Sequence, residues 1–198
     1  MDLLLVGRPN AGKTLLMINF AAYLGVRDIR VDVTDDDGVR RTQRLSLQRA
    51  RRDLVSLETP KTIRVQTVAV DVAVGRQRVG VTVVDTPGLA PAIAADPADR
   101  RQAALILERL IGAALVFHVI DASLVRANGL DPLDHALLQY GARRATFLVV
   151  ANKVDRPGSH EGLTTLKVRA GGTTVIPVSS HTRRGFRDLR LWMVRTLA

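Results

Sequence analysis

Eight residues, Gly7-Arg8-Pro9-Asn10-Ala11-Gly12-Lys13-Thr14, constrain this chain more than any other stretch. They fit the spacing G-x-x-x-x-G-K-[ST] and stand between an apolar run, Leu3–Val6, and a segment of helical periodicity, Leu15–Leu24. Glycines at those positions let backbone N–H groups turn inward around phosphate oxygens, and the helix N-terminus adds partial positive charge. Asn10, Ala11, Gly12, Lys13, Thr14 and Leu15 are the expected phosphate cradle. Within it Lys13 would reach β- and γ-phosphates, and the Thr14 hydroxyl would ligate Mg²⁺.

Strand-like and helix-like segments alternate around this loop. Arg64–Val74 has period two, as does Val79–Val84, so the two are expected to form a hairpin around Gly75-Arg76-Gln77-Arg78. Asp96-Pro97 reads as N-cap and first residue of a helix running to about Ile111, and Asp131-Pro132 begins another that Gly141 ends. Ala114–Ile120, Ala145–Ala151 and Thr173–Val178 read as apolar strands. Gly185–Leu197 is a closing helix with Phe186, Leu189 and Met193 on one face. Near-continuous apolar strands alternating with helices predict an α/β fold, a three-layer sandwich around a mainly parallel sheet with one antiparallel edge strand. The stretch Val26–Glu58 interrupts the rhythm with a turn cluster, Asp35-Asp36-Asp37-Gly38. A basic, weakly amphipathic run follows, with Leu47, Ala50, Leu54 and Leu57 at helical spacing. A structureless loop of that length is unusual in a compact domain unless functional or mobile.

Two further motifs carry chemistry. Asp85-Thr86-Pro87-Gly88 follows the strand Val79–Val84. A carboxylate at the end of that strand can hold Mg²⁺, directly or through water, and Gly88 can offer its backbone N–H to a γ-phosphate. Alone, Asp-x-x-Gly is usually just a turn; after a phosphate loop and a strand pair it is informative. Asn152-Lys153-Val154-Asp155 follows the strand Ala145–Ala151. Asp155 can accept two hydrogen bonds, from guanine's ring N–H and its exocyclic amine, a pair of donors that adenine lacks. A buried carboxylate left unpaired is costly, so the loop selects GTP over ATP. Asn152 would brace the loop and Lys153 would lie along the base.

With these residues in view, the chain resembles a translation-factor-type P-loop GTPase. Gly-Arg-Pro-Asn-Ala-Gly-Lys-Thr and Asp-Thr-Pro-Gly-Leu look most like the Era/TrmE group of bacterial GTPases. The resemblance covers nearly the whole chain and implies a P-loop NTPase fold. It implies a single GTP-binding domain over residues 1–198, with an extended basic switch I region at about 26–62. It also implies slow, Mg²⁺-dependent hydrolysis of GTP to GDP and phosphate, with Lys13, Thr62 and Gly88 acting on the phosphates. Ser179 and Ser180 match the family's base-contact loop, with Ser180 replacing the usual alanine. Thr62-Ile63 looks like the Thr-Ile of many small GTPases, which makes Thr62 the favoured switch I threonine and Mg²⁺ ligand. Thr59 is the alternative, and counting from Pro60 in the Era style would instead put Ile63 there. Leu89 occupies the place where Ras-like enzymes orient water with glutamine. In the TrmE-like branch a P-loop asparagine helps bind an activating K⁺; Asn10 has that position, and a nucleotide-dependent dimer would accompany such a mechanism.

Composition bounds the partners. Of 29 basic residues four are lysines, leaving 25 arginines, and the net charge is +10. RNA, the ribosome, an acidic effector protein or anionic lipid would suit such a surface; an arginine bias of composition explains it equally. There is no cysteine, and the four histidines lack metal-ligand spacing. His118 reads as a strand residue and the others as loop or surface. No apolar run is long enough for a transmembrane segment, and the start Met1–Val6 reads as a buried strand rather than a leader, so a cytoplasmic protein is expected. Two other functions stay open: a nucleotide-gated scaffold with little hydrolysis, and a P-loop ATPase or kinase, against which the Asn-Lys-x-Asp loop argues.

Overall fold

The computed structural model of the 198-residue chain describes residues 1–34, 40–54, 66–89, 97–125 and 129–198. In chain order the elements are β1 (Asp2–Val6), α1 (Lys13–Tyr23), β2 (Asp28–Thr34), β3 (Arg40–Ser46), α2 (Leu47–Leu54), β4 (Gln66–Val74) and β5 (Gln77–Asp85). There follow α3 (Pro97–Gly112), β6 (Leu115–Asp121), a 3₁₀ turn (Ala122–Leu124), α4 (Pro132–Gly141), β7 (Phe147–Asn152), α5 (Ser159–Arg169), β8 (Val175–Pro177) and α6 (Phe186–Leu197).

Six strands form one sheet in the order β4-β5-β1-β6-β7-β8. All neighbours are parallel except β4 and β5, which pair antiparallel from Gln66↔Asp85 to Val74↔Gln77. The expected antiparallel edge strand is therefore β4. Its burial alternates: Val68, Val70 and Val72 are buried while Ala69, Asp71 and Ala73 are exposed, the pattern of a strand with one face covered. The inner strands β6 and β7 are buried along their whole length. They have apolar layers on both sides, which is why their sequences read as unbroken apolar runs.

β1 shows how the layers are built. Leu3 and Leu5 join a core with α1, α2 and α6, which includes Phe20, Phe117, Phe186 and Met193. Leu4 and Val6 point the other way, into a core with Ile106 and Leu110 of α3, Leu137 and Leu138 of α4, and Leu166 of α5. Period-two alternation thus feeds two cores, and the result is the three-layer sandwich.

The region after α1 departs from the sequence expectation. Where the sequence offered only a turn cluster and a weakly amphipathic run, β2 and β3 also make a separate antiparallel hairpin, in register from Asp28↔Ser46 to Thr34↔Arg40. The turn cluster at 35–38 lies outside the described residues. α2 follows directly and is clearly two-sided: Ala50 is fully buried against the α1 layer, while Gln48, Arg49, Arg52 and Asp53 are exposed. Leu47, Ala50 and Leu54 fall within this helix; Leu57 lies outside the described residues. Ile29 and Leu45 anchor the hairpin in the same core. α5, which the sequence reading passed over, packs Gly162 where a Cβ would overlap the Ala122 carbonyl oxygen. α4 starts as expected, with Asp131 Oδ1 accepting from the Leu133 N–H at 3.0 Å and Pro132 in the first turn. Pro97 opens α3; Asp96 lies outside the described residues.

Candidate nucleotide site

The C-terminal ends of β1, β5, β6 and β7 converge on one edge of the sheet. The chain leaves β1 into one helical layer and β5 into the other, a topological switch point of the kind where α/β sheets bind ligands. The loop Gly7–Gly12 occupies it. Its backbone needs unusual conformations, with φ of 142° at Gly7, 60° at Asn10 and 93° at Gly12. A Cβ on Gly7 would overlap the Val119 carbonyl oxygen, and one on Gly12 would overlap Asn152 Nδ2. Both glycines are therefore required by close approach as well as by φ. The loop delivers Lys13 and Thr14 to the first turn of α1, with Leu15 half-buried behind them.

Lys13 is buried, and its Nζ donates to the carbonyl oxygens of Gly7 at 3.0 Å and Arg8 at 2.9 Å. Burial lowers its pKa to about 8, against the opposing fields of Asp85 and Asp134. Thr14 Oγ1 donates to Asp85 Oδ2 at 2.6 Å. Asp85 is wholly buried, which raises its pKa to about 6, opposed by Lys13 and by the Thr14 hydrogen bond. Its Oδ1 has no hydrogen-bond partner among the described residues. A hydroxyl and a carboxylate with an uncommitted oxygen form a hard oxygen donor set, and it fits Mg²⁺. Thr86 is pinned by its hydroxyl to the Leu5 carbonyl at 2.8 Å, and the Leu89 N–H donates to Gly7 at 3.2 Å. These bonds hold Gly88 so close to the phosphate loop that a Cβ there would overlap the Pro9 backbone. The Leu89 side chain is buried in the core beneath α3.

A second cluster frames the neighbouring space. Asn152 is fully buried at the end of β7. Its Nδ2 donates to the Ala11 carbonyl at 2.8 Å, and its Oδ1 accepts from the Ser180 backbone N–H at 3.0 Å and the Ser180 hydroxyl at 2.8 Å. Lys153, at φ 62°, reaches back to the Asn10 carbonyl and to Asp121 Oδ2, both at 2.6 Å. Asn10 and Lys153 are two of three non-glycine residues with positive φ among the described residues, and each lies in a loop of this site. Such strain persists only where surrounding contacts enforce it. Asp155 is exposed, and a Ser179 hydrogen bond holds its carboxylate below the usual range. The carboxylate is thus an ionised acceptor facing solvent beside Lys153.

The structure brings together Asn10, Ala11, Gly12, Lys13, Thr14, Leu15, Asp85, Gly88, Asn152, Lys153, Asp155, Ser179 and Ser180. Thr62 and Thr59 lie outside the described residues. Three supporting residues were not among the expected site residues. Asn19 donates to the Ser180 carbonyl at 2.6 Å across 161 positions, Asp121 pairs with Lys153, and Asp131 pairs with Arg8 at 3.4 Å. Asp121 had a signal: like Asp85, it is a carboxylate at the C-terminal end of a buried strand. Asn19 had none, because helical periodicity marks it only as an inward position. His118 is a strand residue, as expected; it is fully buried, with Nε2 at 2.9 Å from Asp134 Oδ1.

A phosphate loop at the switch point, a Thr–Asp oxygen pair and an Asn-Lys-x-Asp frame together define a P-loop GTPase of the translation-factor, Era-like class. The chain belongs to the family described as 50S ribosome-binding GTPases, whose model matches residues 2–153. Membership in that family makes it a GTP-binding GTPase domain. Over 84 residues it is 36% identical to GTPase Obg of Bacillus cereus, a match covering 38% of this chain and 19% of that protein. Over 86 residues it is 36% identical to GTPase Obg of Shouchella clausii, covering 39% and 20%. In fold it is similar to Aquifex aeolicus Era bound to GDP·AlF₄⁻, with TM-score 0.64, 20% identity, and coverage of 98% of this chain and 56% of that one. It is likewise similar to the G domain of the T. maritima FeoB iron transporter, with TM-score 0.57, 16% identity, and coverage of 100% and 99%. The matches thus span about a fifth of the Obg proteins and just over half of the Era chain.

Proposed function

We propose that residues 1–198 work as one Mg²⁺-dependent G domain whose switch I region, at about 26–62, reads the nucleotide state. The observation that carries this reading is the double hook of the β7 loop onto the phosphate loop, Asn152 to Ala11 and Lys153 to Asn10. It sets the guanine-selecting Asp155 at a fixed offset from the phosphate cradle. Lys13 would exchange its two carbonyl partners for β- and γ-phosphate oxygens. Gly88 would donate its N–H to the γ-phosphate, coupling loss of that phosphate to Leu89 and α3. Asp155 would accept the guanine N–H pair, with Lys153 along the base and Ser179 and Ser180 closing the loop around it. Thr14 and Asp85 would hold Mg²⁺, joined by Thr62; when bound, the ion neutralises charge on the phosphate oxygens. Leu89 is apolar and cannot orient a water, so turnover without help is slow, at about 10⁻⁴ to 10⁻² per second. An activating K⁺ at Asn10, with dimerisation across the switches, is the help its sequence suggests. A cytoplasmic location agrees with the finding that no helix among the described residues is long and apolar enough to cross a membrane. Outside the site, an effector protein would read the switch, and the net charge of +10 favours contact with RNA or the ribosome. Era, one of the fold relatives, has been solved with a 16S ribosomal RNA segment.

The test is a titration with fluorescent GDP and Mg²⁺, competed by GTP, GDP and ATP, on wild type and Asp155→Asn. Phosphate release is then followed in K⁺ and in Na⁺. Guanine preference that disappears in the variant, with K⁺-selective turnover, is the expected result. Equal competition by ATP would overturn the nucleotide assignment. Guanine binding without turnover in either salt would leave a nucleotide-gated scaffold.

A further inference from the structure

At the end of α1 remote from the phosphate loop, a groove of about 570 Å³ opens beside β4. One wall is the turn from Tyr23 to Val26. The floor is β4 from Ala69 to Ala73, and Arg78 of β5 and Arg190 of α6 stand at its sides. Eleven helical residues separate it from the nucleotide site, a distance of about 16 Å. No part of the GTPase chemistry uses it.

Its chemistry is specific. Tyr23 is 40% exposed, and its ring stacks on Phe20 at 6.2 Å and lies edge-on to Phe186 at 5.8 Å. A braced, half-open aromatic face is a platform for a base. Arg78 and Arg190 are exposed and have no ion-pair or hydrogen-bond partner among the described residues. Among the arginines of α2 and β3, by contrast, Arg44, Arg49 and Arg52 are engaged by Asp28 and Asp53. Arg187 lies three residues before Arg190 on the same helix and extends the positive edge beyond the groove. One carboxylate, Asp71, lines the floor. It is an acceptor for a base amino group between flanking phosphate binders.

We propose that this groove binds single-stranded RNA, with Tyr23 stacking a base, Asp71 accepting from a base amino group, and Arg78 and Arg190 gripping adjacent phosphates. The inference rests on the RNA reading of the charge given above and gives it a place. That place adjoins the link from α1 into β2, so RNA seated there would lie against the start of the switch I region.

The experiment is fluorescence anisotropy of the full chain with a labelled single-stranded RNA of about ten nucleotides, across a salt series. The variants are Arg78→Glu/Arg190→Glu, Tyr23→Leu, and a control of equal charge change on the opposite layer, Arg143→Glu/Arg169→Glu. GDP binding is measured on each to verify folding. We expect the groove pair to lose at least tenfold in affinity and its log–log salt slope to fall by about 1.4, from two phosphates at about 0.7 each. Tyr23→Leu should lose at least fivefold at unchanged slope, and the control less than threefold. Equal losses in groove and control variants would overturn the groove as the site. Displacement of the oligonucleotide by AMP or CMP at matching nucleotide concentration would make it a mononucleotide site instead. Wild type that binds GDP but no RNA would overturn both the groove and the RNA reading, leaving the GTPase assignment intact.

Discussion

Replacing Asn152 with alanine tests the frame most directly, because this one side chain makes three buried hydrogen bonds. The substitution removes the donor to the Ala11 carbonyl and the acceptor shared by the Ser180 N–H and hydroxyl. At about 1 kcal/mol for each bond the loss is about 3 kcal/mol, and a stranded Ser180 N–H adds to it. For a chain of this size, that lowers Tm by about 6–12 °C. Ser180→Ala loses the hydroxyl bond but keeps the backbone one, so it should cost about 1 kcal/mol. Asn152→Asp keeps the acceptor toward Ser180 and sets a carboxylate oxygen against the Ala11 carbonyl, so it should harm GDP affinity more than Ser180→Ala does. Thermal unfolding of the three variants without nucleotide, with GDP titrations alongside, gives the comparison. If Asn152→Ala melts within 2 °C of wild type, a threshold of under about 1 kcal/mol, the bonds do not brace the loops. A Ser180→Ala loss equal to that of Asn152→Ala would equally refute the reasoning.

Asp85, with a pKa raised to about 6 in the folded chain, holds below that pH a proton that Mg²⁺ would have to displace. Mg²⁺ affinity measured through nucleotide fluorescence should fall about tenfold per pH unit below 6 and stay level above about 7. In the same metal-free chain, folding binds this proton between the ordinary carboxylate value of 3.8 and about 6. The Asp85 contribution to stability therefore declines as pH rises through that window, and an Asp85→Asn chain should lack the decline in pH-dependent denaturant melts. Gly88→Ala forces a methyl into the Pro9 backbone. It should weaken GTP-analogue binding more than GDP binding in paired titrations, since the displaced N–H would serve only the γ-phosphate. His118→Leu leaves the buried Asp134 carboxylate without its partner and should cost about 3 kcal/mol in urea denaturation, whereas the double change with Asp134→Leu should recover most of it.

The parts of this fold that could be read from sequence are those whose signal is local. β1, β6 and β7 are continuous apolar runs because they are covered on both faces, and β4 alternates because it is covered on one. The phosphate loop, Asp85 and the Asn152–Asp155 loop were legible because each is a short contiguous motif at a strand end. The β2–β3 hairpin was not. Ile29, Val31 and Val33 do alternate, but β3 offers Leu45 alone as an apolar residue, so the pair had no matching second half. Its partner choice depends on Ile29 and Leu45 meeting a core formed elsewhere. α5 was missed for a related reason: its tight contact falls at Gly162, where the absence of a side chain lets the helix approach Ala122. The struts from Asn19 to Ser180 and from Lys153 to Asp121 arise only when distant segments pack, and no spacing rule announces them.

The position of β1 also sets the order in which this molecule can be made. Leu3 pairs with Val83 on one side and Leu115 on the other, so its two neighbours lie 80 and 112 residues downstream. At a synthesis rate of about 5–20 residues per second, the second neighbour follows β1 out of the ribosome by about 6–22 s. Until β5 follows, after about 4–16 s, an apolar strand has no sheet to join, and until β6 follows, the phosphate loop behind it lacks the Val119 carbonyl against which Gly7 packs. Nucleotide therefore cannot guide the earliest stage of folding. The site comes into being late and in stages: β6 closes on β1 first, and the frame is complete only when Asn152 at the end of β7 and Ser180 beyond β8 have joined it.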